Sequence, residues 1–173
     1  MKTTFTGSEV MDLAVKLEKR AIAFYRWAAQ NAHDPAGRQL FSQLADMEAD
    51  HQQVFAALRD AAARPAATDW NTTRWVSVAN ILLAQVQDDL SQRFRGKYTW
   101  SDILREALAF EKDTIVFLET MRQMIPPGED HRPLEGIIRE ELGHLLLLGT
   151  QLAAAATPPA AGADAVAGQF GST

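Results

Sequence analysis

Glu141 and His144 stand three residues apart in EGIIREELGHLLLL, the segment from Glu135 to Leu148, whose apolar residues recur at spacings of three and four. A helix here carries Ile137, Glu141, His144, Leu145 and Leu148 on one side, and that side is apolar enough to be buried. An unpartnered carboxylate is expensive to bury, so Glu141 and His144 require a counter-charge, a hydrogen-bonded network or a metal. One such pair leaves all three open, and a hydrogen-bonded core histidine is the commonest of them. The arrangement recurs upstream, in LADMEADHQQVF, where Leu44, Glu48, His51, Phe55 and Leu58 share a face. Glu18 precedes Glu48 by 30 residues, Glu111 precedes Glu141 by 30, and one offset of 93 relates the two sets. EKRAIAFY from Glu18 also aligns with EKDTIVFL from Glu111, sharing Glu, Lys, Ile and Phe in register. The chain reads as a duplicated two-helix unit.

Two antiparallel helix pairs related by an approximate two-fold bring Glu18 and Glu48 opposite Glu111 and Glu141, with His51 and His144 beside them. Four acids crowded into a dry core cannot all ionise, whereas two divalent cations neutralise them. Oxygen and imidazole ligands suit iron or manganese, and zinc is accepted as well.

The elements that position these residues carry clear boundary signals. Thr6-Gly7-Ser8-Glu9 is a capping box for a first helix from about Ser8 to Asn31, with Ala14, Leu17, Ala21, Phe24 and Ala28 inside. Tyr25 lies one heptad after Glu18, where it either hydrogen-bonds a carboxylate or simply belongs to the core. Asp34-Pro35 restarts the chain as a second helix from about Pro35 to Ala63, and the short link makes the two antiparallel. From Ala66 to Thr99 the composition shifts to Trp70, Arg74, Trp75, Arg93, Arg95 and Gly96 around a possible short helix from Val76 to Gln92. A connection of that length can return along a helix roughly 40 Å long, with its tryptophans packed on the bundle. Thr99 and Asp102 cap a third helix, about Trp100 to Met124, with an inner stripe of Leu104, Leu108, Glu111, Thr114, Ile115 and Leu118. Ile125-Pro126-Pro127-Gly128 ends it, and Asp130 with Pro133 opens a fourth helix to about Ala155. The predicted fold is all-α, a four-helix bundle over residues 1–156, followed by a disordered Ala/Gly/Pro tail over 157–173.

With 173 residues, 47% hydrophobic and 23% charged, the chain can bury one substantial core. Its net charge of −5 and lack of basic runs argue against nucleic-acid binding. Absence of cysteine excludes disulfides, thiolate metal sites and an internal thiolate electron relay. No signal-like N-terminus or bilayer-length apolar run is present, so a soluble, cytoplasmic protein is expected, without a membrane partner. The Trp-bearing crossover and the apolar stretch from Leu145 to Leu152 suggest a homodimer or larger assembly.

On EKRAIAFY, MEADH, EKDTIVFL and EELGH, the chain resembles the ferritin-like rubrerythrin family over roughly Ser8 to Ala155. That resemblance implies two iron ions per chain, with Glu48 and Glu141 bridging, Glu18 and Glu111 terminal, and His51 and His144 completing the two sites. It implies oxidation of a di-ferrous centre by hydrogen peroxide or dioxygen, as a peroxidase or ferroxidase. Electrons would come from an external donor, because the rubredoxin-like domain of rubrerythrins proper is missing from this cysteine-free sequence. Three positions depart from related patterns. Thr114 stands where rubrerythrins proper carry a further glutamate, so their carboxylate-for-histidine exchange is not implied here, and Leu118 matches a tyrosine found in many relatives. Ala49 follows Glu48 and offers no methionine of the kind that binds haem in bacterioferritins. An iron-binding or storage protein, and a metal-free helical interaction module in which the acids pair with His51 and His144, are the alternative readings.

Overall fold

The computed structural model of the chain describes residues 6–63, 94, 98–125 and 128–156. Among the described residues there are four helices: α1 (Gly7–Asn31), α2 (Pro35–Ala62), α3 (Trp100–Arg122) and α4 (Arg132–Ala156). No strand occurs among the described residues. Both predicted capping boxes form. Thr6 accepts from Glu9 N while Glu9 accepts from Thr6 N, and Thr99 and Asp102 do the same at α3. Asp34 caps α2 by accepting from Gly37 N at 2.8 Å, with Pro35 at the first helical position. At α4 the helix begins two residues after Asp130, whose carboxylate accepts from Arg132 N at 3.0 Å.

α1 packs along α2 and α3 along α4, so the bundle is built from two hairpins. α1 meets α3 and α2 meets α4 across a narrower seam, and the ionisable side chains lie there. The expected α1 stripe is buried throughout, joined by Val10, Leu13 and Tyr25. On α3 the stripe is displaced: Leu108 and Ile115 are only partly buried, whereas Ile103, Ala107, Phe110, Phe117 and Met121 join the core. A straight helix turns about 100° per residue, so a strict three-four pattern drifts off the contact line over several turns and neighbouring positions take over.

Trp100 links the hairpins at one end. Its ring meets Phe41 edge-on, with centroids 5.2 Å apart, and lies over Gly37 so closely that a Cβ there would stand 2.8 Å from Trp100 Cζ2. Phe94 and Tyr98 arrive against the same end of α1: Phe94 stacks on Trp27 at 4.9 Å, and Tyr98 Oη donates to Asn31 Oδ1 at 3.3 Å. The crossover tryptophans Trp70 and Trp75, the short helix expected over 76–92, Pro126 and Pro127, and the tail 157–173 lie outside the described residues. Among the described residues no helix is long and apolar enough to cross a membrane.

Candidate metal centre

Each helix delivers acid to the seam. α1 supplies Glu18, α2 supplies Glu48 and His51, α3 supplies Glu111, and α4 supplies Glu141 and His144; all six side chains are buried. The spacing of three places each Glu-x-x-His pair on one turn, one above the other. His51 Nδ1 is 3.0 Å from Glu48 Oε2 and 3.1 Å from Glu141 Oε1, while His144 Nδ1 is 3.1 Å from Glu141 Oε2 and 3.0 Å from Glu48 Oε1. Each imidazole therefore turns Nδ1 toward the same two carboxylates. The rings are inclined at 26° to one another, with centroids 5.7 Å apart.

Two overlapping sets of potential ligand atoms result. Glu18, Glu48, His51 and Glu141 form one, Glu48, Glu111, Glu141 and His144 the other, with one atom from each residue within 4.8 Å of the rest of its set. Glu48 and Glu141 belong to both. Within this cluster five carboxylate oxygens receive no hydrogen bond: both of Glu18, Oε1 of Glu48, Oε2 of Glu111 and Oε1 of Glu141. Glu48 Oε1 and Glu141 Oε1 are each close to an imidazole nitrogen, but only their sister oxygens are aligned to accept from one within their own Glu-x-x-His turn. A native core rarely leaves so many buried acceptors without donors. The donor set and its orphaned oxygens fit a pair of divalent cations.

Electrostatics in the metal-free protein reflect the crowding. Burial, with Glu48 and Glu141 nearby, pushes Glu18 well above the usual carboxylate range, and burial with the same two neighbours does so for Glu111. Burial opposes charge on His51, yet the Glu141 and Glu48 carboxylates beside its Nδ1 prevail and raise it to about 11. His144, under the same opposing influences, rises to about 9. Burial would raise Glu141, but the hydrogen bond with His144 and the adjacent His51 imidazole outweigh it and hold the carboxyl at about 2.

Tyr25, wholly buried, donates its hydroxyl to Glu111 Oε1, the first of the two sequence readings for that residue. Burial and the adjacent Glu111 push the phenol well above its ordinary range, so it serves as a hydrogen-bond donor. Thr114 is buried, and its Oγ1 has no partner. Sequence reasoning did not single out Glu140. It lies on the outer side of α4, 59% exposed, and its Oε2 is 2.9 Å from His51 Nε2. Its signal was available in principle: a buried imidazole that uses Nδ1 inward needs an acceptor for its other nitrogen.

The sequence model of the rubrerythrin family matches residues 9–150. The chain belongs to the rubrerythrin family. Among solved structures, a Thermotoga maritima protein assigned as ferritin-like and diiron-carboxylate is similar, with a TM-score of 0.64 and 20% identity. That match covers 90% of this chain and 99% of the other, and it establishes a shared ferritin-like four-helix fold. No curated protein matches the chain. Within the family, this rubrerythrin-type bundle carries candidate carboxylate and histidine metal clusters and contains no cysteine.

Proposed function

We propose that the protein is a di-iron oxidoreductase of rubrerythrin type, acting as a peroxidase or ferroxidase on hydrogen peroxide or dioxygen. The observation that carries this reading is the pair of four-residue ligand sets sharing Glu48 and Glu141, with five orphaned carboxylate oxygens turned into the seam. Glu18, Glu48, His51 and Glu141 would hold one iron ion and Glu48, Glu111, Glu141 and His144 a second, Glu48 and Glu141 being common to both sets. Manganese or zinc satisfies the same donors, so redox chemistry depends on iron being supplied. Bound iron would supply two reducing equivalents to the oxidant.

The protein's own groups hold and shield this chemistry. Tyr25 orients Glu111 through its hydroxyl and contributes a proton donor beside that carboxylate. Phe24 and Phe41 pack against the Tyr25 ring and are buried with it. Lacking thiolates, the chain must receive electrons from an external donor after each turnover.

Anaerobic ferrous titration of the chelator-treated protein tests the reading. Two iron ions per chain are expected, followed by growth of near-ultraviolet absorption on adding stoichiometric peroxide, with sustained turnover only when a reductant is present. Uptake of one half equivalent or less overturns it. The His51–Glu48 and His144–Glu141 hydrogen bonds favour a second reading, a metal-free acid–histidine network; protein that takes up no metal would establish it. Loading of many iron ions per chain would instead identify a storage protein.

A further inference from the structure

The two halves of the seam are related by the 93-residue offset, but the groups behind the ligands are not. His51 Nε2 is held by Glu140 Oε2 at 2.9 Å. Under the offset, the position corresponding to Glu140 is Met47, the residue before Glu48, which offers no hydrogen-bond acceptor of comparable strength. Accordingly, His144 Nε2 is buried without any partner. The acids differ in the opposite sense. Glu111 Oε1 accepts from Tyr25, whereas neither oxygen of Glu18 receives a hydrogen bond, and the offset equivalent of Tyr25 is Leu118.

We infer that Glu140 is a positioning residue that makes the two metal sites unequal, with the Glu18–His51 site the tighter and the first to fill. The inference rests on the di-metal reading above. An imidazole that binds a cation through Nδ1 carries its proton on Nε2. A carboxylate accepting that proton fixes the tautomer and ring orientation and raises the basicity of the ligating nitrogen. His51 has this support from Glu140. His144 would bind with its Nε2 proton buried and unmatched, which opposes loading. The carboxylates reinforce the difference: a hydrogen bond from Tyr25 withdraws charge from Glu111, while Glu18 keeps both oxygens for the cation. Both effects strengthen the Glu18–His51 site relative to its counterpart. Glu140 also lies mostly in solvent, so its removal opens no cavity in the packed core, and the binding steps are read on folded protein.

Zinc(II), which is redox-inert, is the probe, titrated into the full-length chelator-treated protein against a chromophoric competitor. Wild type should bind in two resolved steps. Glu140→Ala should weaken the tighter step by about 10–100-fold and draw the two together, leaving the weaker step in place. In a His51→Ala background the same substitution should have no further effect, whereas in a His144→Ala background its effect should persist. Met47→Glu, which supplies the missing carboxylate, should tighten the weaker step. In chelator Glu140→Ala should still unfold cooperatively, with a urea midpoint lowered by the His51 Nε2 proton it leaves unmatched. Two equal steps in wild type, an unchanged tighter step in Glu140→Ala, an equal loss at both steps, or a weaker step unmoved by Met47→Glu would each overturn the inference while leaving the di-metal reading intact. A wild type that binds no zinc and no iron overturns both.

Discussion

Glu18 and Glu111 occupy equivalent positions in the repeat, yet their removal should have different consequences in metal-free protein. Neither oxygen of Glu18 receives a donor, so Glu18→Leu strands nothing and replaces a crowded acid with apolar volume. In chelator the variant should be as stable as wild type or more stable by about 1–4 kcal/mol, and it should lose the stabilisation that added ferrous ion gives wild type. Glu111→Leu instead leaves the buried Tyr25 hydroxyl without its acceptor, at a cost of about 1–3 kcal/mol that Tyr25→Phe in the same chain should recover. Urea unfolding with and without metal reads both. A loss of about 3–5 kcal/mol for Glu18→Leu in chelator, the usual result of breaking a buried pair, would support the metal-free network. The imidazoles set the pH dependence. His51 and His144, raised from 6.5 to about 11 and about 9, stay protonated when the unfolded chain has released its protons. Their contribution is complete below about 6.5 and is lost as pH rises through 9 and then 11. Glu18 and Glu111, also raised, add a loss in the same direction above 4.5. Glu141, lowered to about 2, acts oppositely, its stabilisation vanishing as pH falls from 4.5 toward 2. The urea midpoint in chelator should therefore fall between about pH 6 and pH 9. A midpoint that is flat or rises across that window would contradict the arrangement of charges.

At the scale of elements, the link between hairpins depends on what Gly37 lacks. Its position in the first turn of α2 lets the Trp100 ring approach to where a Cβ would be 2.8 Å away. Gly37→Ala would normally favour a helix by up to about 1 kcal/mol. Here it must displace an indole wedged against Phe41, and overpacking of that kind costs about 1–3 kcal/mol. A net loss in urea stability is expected, and pairing it with Trp100→Leu should reverse the sign. Net stabilisation by Gly37→Ala alone would show that Trp100 moves freely. The capping signals were legible because each involves residues within one turn, where chemistry and geometry coincide. The inner face of α3 was less so: Phe117 and Met121 are buried while Ile115 is only partly covered, since which of several adjacent apolar residues faces the core depends on how α3 is rotated against α4.

For the molecule as a whole, the exposed apolar residues bear on assembly. Leu146 is 74% exposed, Val116 63% and Leu142 46%, on the outer surfaces of α4 and α3. The apolar run that suggested association, Leu145 to Leu152, divides between the two sides of its helix: Leu148 is core, Leu145 and Leu152 are partly covered, and Leu146 and Leu147 face outward. At least a dimer is expected at micromolar concentration, with Leu146→Glu shifting it toward monomer. Light scattering that returns a monomeric mass for the wild type would refute this.

The six acid and imidazole residues, their duplication and the four helices were written in the sequence, because a Glu-x-x-His spacing and a hydrophobic three-four pattern are local properties of one helix. Tyr25 could be placed beside Glu18 on α1 by the same logic. That its hydroxyl instead reaches Glu111 on α3 was decided only by how the hairpins face each other. The same is true of Glu140, an exposed acid among several on α4 until packing brings its carboxylate to His51 on α2. Helical periodicity determines which side chains share a face; only the rotation and height of one helix against another determine which side chains meet across the seam.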